Sequence, residues 1–309
     1  MLDALGEANF AALIGLFGGI LLGLAARLGR FCTLGAIEDY LYGGNDLRLR
    51  MWVLAIGSAV VGSFSLMAFG WFDPANSFYL SQQWMPLASI VGGGLFGYGM
   101  AMAGNCGYGA LARLGGGDLR SFVIVLVMGI SAYATISGPL AWARVALFPV
   151  KPSEQALPGI AHALGNMTGI SASVIGMMIG LVFVGLALSG QSLRQSKASI
   201  FWAIAAGVSV ISAWAGMHYV HETGFDDLPV ISHTFSAPIG EVIIYGMTAS
   251  GQTLSFGIGS VAGVWLGAFF GSLIKGHFRW EACEDPRELR RQILGAALMG
   301  VGAVIAVGC

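Results

Sequence analysis

Three places in this chain set a small sulfur or oxygen side chain at the edge of an apolar run. They are Gly29-Arg30-Phe31-Cys32, Gly104-Asn105-Cys106-Gly107 and Phe235-Ser236, and the chain closes on Gly308-Cys309. Cys32, Cys106 and Ser236 each stand at the start of a short apolar segment, at 32–42, 107–114 and 237–247. If those segments are helices, their first turns carry unpaired N–H groups and the positive end of a helix dipole. Such ends attract an anion without a fixed positive charge. Thiols and hydroxyls add S–H and O–H donors, and the flanking glycines permit sharp turns and close approach. The candidate substrate-binding set is Cys32, Cys106, Cys309, Ser236, Gly104, Asn105 and Gly107. No Lys or Arg sits at the centre of an apolar run, which suits passage of an anion better than its storage.

Other chemistry finds less support. The four cysteines share no CxxC or metal spacing, so neither a disulfide scaffold nor a structural metal is expected. No Ser/His/Asp or paired-carboxylate set converges, so we expect no enzyme and no cofactor. Cys283 lies in a charged loop and reads as non-functional. Glu38, Asp39 and Glu241 fall inside the short segments, as gate or proton-handling groups or simply as caps. His218, His221 and His233 read as histidines of an outer loop near an interface.

The elements that must hold these residues belong to a membrane protein. The 309 residues are 56% hydrophobic and only 10% charged, against about 25% charged in soluble domains. The 48 glycines point to close helix–helix contact. Apolar runs of about twenty residues suit helices, whereas barrel strands would alternate over about ten. Spans are expected at 10–28, 51–69, 86–103, 119–140, 170–188, 200–220, 256–274 and 289–307, with the three short segments re-entrant. The N-terminus has no basic region before its first apolar run, so that run reads as a retained span. A net charge of −1 without a basic cluster excludes a nucleic-acid partner; lipid surrounds the chain instead.

Basic residues orient the set. Arg48 and Arg50, Arg113 and Arg120, Arg194 and Lys197, and the run Lys275, Arg279, Arg287, Arg290 and Arg291 occupy alternate connections. The connections 71–85 and 218–252 carry neither Lys nor Arg, and the connection after the fourth span has Lys151 following Arg144. By the positive-inside rule the basic connections are cytoplasmic and the N-terminus periplasmic.

The halves repeat. Residues 293–309 align without a gap on 90–106, matching Ile90/Ile293, Gly92/Gly295, Leu95/Leu298, Gly97/Gly300, Gly99/Gly302, Ala103/Ala306 and Cys106/Cys309. A weaker match sets Phe31-Cys32 with Gly35 and Glu38 beside Phe235-Ser236 with Gly240 and Glu241. An odd number of crossings separates the halves, so the second is inverted. Inverted repeats with broken helices place a transporter's substrate site at the repeat interface. One transport domain over 1–309 results, with repeat one at about 8–150, a linker span at about 165–190 and repeat two at about 195–309.

Gly29-Arg30-Phe31-Cys32, Gly104-Asn105-Cys106-Gly107, Phe278-Arg279-Trp280-Glu281, Asp285-Pro286-Arg287-Glu288-Leu289 and Leu298-Met299-Gly300 leading to Gly308-Cys309 together resemble the YeeE/YedE family of bacterial inner-membrane proteins. The resemblance covers essentially the whole chain. It implies uptake of thiosulfate or a similar small sulfur anion, passed between thiols along an hourglass-shaped pathway. The family's pathway cysteines map onto Cys32, Cys106 and Cys309. It also implies work beside a TusA-like cytoplasmic sulfur carrier. Family members continue past the second Gly-Cys with another span, so a last span is expected to be missing here. Two alternatives share the scaffold: a selenium-compound or sulfide permease, and a membrane sulfurtransferase carrying a persulfide on cysteine.

Overall fold

The computed structural model describes residues 6–149, 157, 159–282 and 285–309; Lys151 and Cys283 lie outside them. The described residues form helices, two short 3-10 turns and connecting loops. In chain order the helices are α1 (Glu7–Leu28), α2 (Thr33–Gly43), α3 (Leu47–Ala68), α4 (Pro86–Ala103), α5 (Gly107–Gly115), α6 (Leu119–Ile136) and α7 (Ala141–Leu147). They continue as α8 (Ile160–Thr168), α9 (Ala172–Ser189), α10 (Gln191–Arg194), α11 (Lys197–Thr223), α12 (Ser236–Thr248), α13 (Phe256–Ile274) and α14 (Pro286–Ile305).

Among the described residues, seven helical stretches are long and apolar enough to cross a membrane, counting α1 with α2 and α4 with α5 as single stretches. The chain is a multi-pass membrane protein. The eighth expected span is present as α14 but falls outside that set. Arg287, Glu288, Arg290 and Arg291 fill its first turns, leaving too short an apolar remainder. The fourth expected span, 119–140, ends four residues early, and a further short helix follows it. Pro139 has no N–H to continue a helix, so α6 ends at Ile136 and α7 begins at Ala141. The Arg144 Nε then donates to the freed Thr135 carbonyl at 3.0 Å.

The three short helices contain 11, 9 and 13 residues. At 1.5 Å per residue each is well short of a hydrocarbon core of about 30 Å. Gly104, at φ 75°, closes α4 and Cys106 opens α5. Arg30 makes the equivalent turn at φ 55°, a left-handed conformation uncommon for a side chain with a Cβ. Phe31 then returns its N–H to Ala25 at 3.2 Å, and Cys32 opens α2.

Glycine sets the helix contacts. On α1, Gly15, Gly19 and Gly23 lie against the backbone of α13, whose Gly259, Gly263 and Gly267 lie against the backbone of α1 in return. The two helices run parallel. Between α4 and α14, Gly92 meets Gly302 and Gly99 meets Gly295, with main-chain atoms nearest at each crossing point. Those helices run antiparallel, as the order of the contacts requires. A methyl group at any of these positions would collide with main chain, so only glycine allows the approach.

Candidate functional site

Two cavities that share Phe31 on their linings lie where the short helices begin. The first, about 370 Å³, is lined by Cys106, Gly107 and Cys309, with Phe31, Trp52, Tyr108, Phe235 and His233 among its walls. Its surface is aromatic and thiol-bearing, and among the described residues no Lys, Arg, Asp or Glu lines it. The Cys106 Sγ accepts the N–H of Gly109 at 3.4 Å, capping α5. The Cys309 Sγ accepts the N–H of Phe235 at 3.3 Å, where α12 begins. Ser236, buried beside it, is the next hydrogen-bonding group to that sulfur. A thiol that accepts an amide still has its own S–H to donate. Both sulfurs are thus fixed by backbone and left with a donor to offer.

This arrangement refines the expectation of open half-helix ends. The amides of Gly109 and Phe235 are given to sulfur, so these two N–H groups are not free to meet an anion. Gly107 opens α5 where an added methyl group would meet the tip of the Met128 side chain of α6, so a larger residue there would have to displace that side chain.

The aromatic walls are locked. Phe31 stacks on Trp52 with ring centroids 4.3 Å apart. Tyr108 tilts against Phe235 at 5.5 Å, and its hydroxyl donates to the Leu22 carbonyl at 2.6 Å. Aromatic pairs of this kind add about 0.5–1.5 kcal/mol beyond their area. His233 also lines this cavity rather than an outer surface, which corrects the reading from sequence. Its Nδ1 lies 2.7 Å from the Ser260 Oγ of α13, and its Nε2 is buried without a partner.

The second cavity, about 360 Å³, is lined by Cys32, Gly104 and Gly109 together with Arg27, Arg30, Arg48, Arg113, Lys275, His277 and Glu38. Phe31 is on the lining of both cavities, which places it between them. The candidate residues therefore divide: Cys106, Cys309 and Gly107 on the aromatic side, Cys32 and Gly104 on the basic side. Asn105 lines neither cavity. It is buried with its Oδ1 unpartnered.

The remaining candidates resolve into structural roles. The Ser255 Oγ donates to Glu241 at 2.7 Å and accepts from Ile258, so Glu241 supports the cap of α13. Asp39 pairs with Arg48 at 3.2 Å. His221 meets the Leu228 carbonyl and Asp227, while His218 sits edge-on to Phe72. Among the described residues no three His, Cys, Asp or Glu gather as a metal site.

A family model described as sulphur transport matches residues 28–309. The chain belongs to the sulphur transport family. Two relatives span nearly all of it. The thiosulfate transporter TsuA of Spirochaeta thermophila is 25% identical over 305 residues, covering 96% of this chain and 88% of that protein. The thiosulfate transporter TsuA of Escherichia coli is 26% identical over 338 residues, covering 96% of this chain and 84% of its own length.

Sequence reasoning missed the aromatic walls, His233 and the basic lining. One signal for the walls was present: Phe31 and Phe235 occupy matched positions just before matched breaks. Nothing comparable marked His233, whose place depends on α13 crossing α1.

Proposed function

We propose that this protein takes up thiosulfate or a related small sulfur anion across the bacterial inner membrane, handing it from Cys309 to Cys106 and then to Cys32. The observation that carries this reading is the aromatic cavity with two thiols and no charged lining residue. S–H donors can hold an anion there without the deep binding that a fixed cation would impose. Family membership and the names of both relatives support the substrate class. Both relatives are named for transport, which favours this over the sulfurtransferase alternative.

The halves act as inverted repeats of about 8–150 and 195–309 around a linker span, with α2, α5 and α12 re-entrant. The glycine contacts support that symmetry. Gly92 is the repeat equivalent of Gly295, and Gly99 of Gly302. The contact of Gly92 with Gly302 thus maps onto that of Gly295 with Gly99 across antiparallel helices. Basic residues from four connections line or neighbour one end of the molecule, which supports a cytoplasmic face there and a periplasmic N-terminus opposite. A TusA-like carrier would collect the sulfur anion at that face.

Uptake of labelled thiosulfate by cells unable to use sulfate tests the reading. Cys106→Ala should abolish uptake, and full retention would remove the thiol relay.

A further inference from the structure

The basic cavity holds more positive charge than its neighbours neutralise. Among the described residues, Arg27, Arg30, Arg113 and Lys275 form no ion pair, and Glu38 is the one carboxylate on the lining. Arg48 is compensated by Asp39. The Arg27 Nε is buried without a hydrogen-bond partner. Lys275 gives its ammonium protons to the Arg27 and Leu28 carbonyls, at 2.8 and 3.1 Å, and so fastens α13 to the end of α1. Its ammonium is held below its ordinary value, first by partial burial and then by the Arg30 and Arg27 charges. Like charges crowded around one cavity repel, and a folded chain keeps them together most readily when an anion occupies the space.

We propose that this vestibule is an oxyanion-binding site, distinct from the thiol cavity, that takes tetrahedral dianions by charge and does not discriminate sulfate from thiosulfate. Guanidinium groups present planar forks of N–H donors suited to oxyanions, and nothing on this lining reads a sulfane sulfur except Cys32. The two cavities then do different work. The aromatic one selects by S–H donors and a tight wall, and the vestibule receives whatever has passed Phe31. Sulfate already present on that side competes for the vestibule and slows release. The binding claim stands on the lining alone, while its part in passage rests on the transport reading above.

The test is equilibrium dialysis of the purified full-length protein with labelled sulfate at low ionic strength. Saturable binding is expected, displaced by thiosulfate and weakened by added sodium chloride as charge screening requires. Arg30→Gln and Arg113→Gln should each weaken it about fivefold, by loss of one unit charge near a dianion. Arg113→Lys should restore most of it, which separates charge from fold. Gly93→Ala should bind sulfate as the parent does, because that position meets open space and lies on neither lining. Absence of saturable binding, or full binding by the Arg30→Gln/Arg113→Gln double variant, overturns the proposal.

An anionic lipid headgroup offers the same chemistry. Sulfate binding should be equal in nanodiscs of phosphatidylcholine and in discs containing phosphatidylglycerol. Loss in the latter assigns the site to lipid and overturns the free-anion claim. Sulfate binding without thiosulfate uptake by reconstituted vesicles would leave the vestibule standing and sink the transport reading. Uptake without sulfate binding would do the reverse.

Discussion

The Cys309 sulfur accepts the backbone N–H of Phe235, 74 positions earlier in the chain, at 3.3 Å. Its repeat equivalent Cys106 accepts an amide three positions ahead in its own helix. Two thiols related by sequence thus reach one cavity by different routes, one local and one long-range. Replacing Cys309 by Ser should keep the contact to Phe235 and preserve partial uptake. Replacing it by Ala should remove both the contact and the donor, and reduce uptake at least tenfold. Equal uptake by Ala and Ser variants, measured with labelled thiosulfate in whole cells, would show that the thiol's hydrogen bonding is irrelevant.

The crossing of α4 and α14 gives a stability prediction. Gly99→Ala places a methyl group against the main chain at Gly295 and the amide of Met299. Overpacking of this kind costs about 1–3 kcal/mol. Gly93 lies on the same helix with open space around it, so Gly93→Ala should be neutral or slightly stabilising through helix propensity. Thermal unfolding in detergent micelles should show a lower midpoint for Gly99→Ala only. Matching midpoints would mean that the helices do not meet as described.

The breaks and the order of helices were legible in the sequence because length and glycine placement decide them locally. The apolar runs at 86–103 and 256–274 match α4 and α13 end to end. The shortfall of α14 came from charge rather than periodicity: Arg287 through Arg291 sit inside the helix instead of before it. Less of the site was legible. Cys106 and Cys309 could be paired through the repeat, but their shared cavity depends on α12 folding back to meet the chain end. Arg48, Arg113 and Lys275 read in the sequence only as topology signals, since a charge count says nothing of which connections converge.

Phe31 separates the thiol cavity from the vestibule. Phe31 is 4% exposed and its ring stacks on Trp52, so on the transport reading it must move for an anion to pass. Phe31→Ala should widen the passage and relax selectivity. Sulfate should then compete with thiosulfate uptake several-fold better than in the parent protein. Competition that stays unchanged, with the variant normally folded, would place the barrier elsewhere.

Gly18 of α1 and His233 give the last prediction. The imidazole lies where a methyl group on Gly18 would project, and its Nδ1 is tied to Ser260 on the neighbouring helix. Gly18→Ala should push the ring toward the cavity it lines, narrowing the space beside Cys106 and Cys309. The side chain can shift, because only ring atoms and not backbone meet the added carbon, so the fold should survive. Uptake should fall several-fold while the unfolding midpoint moves by a few degrees at most. Ser260→Ala releases the same ring without adding volume. If narrowing is the cause, Ser260→Ala added to Gly18→Ala should recover part of the lost uptake, because the ring can then swing away. A double variant no better than Gly18→Ala would show that the position of His233 does not control passage.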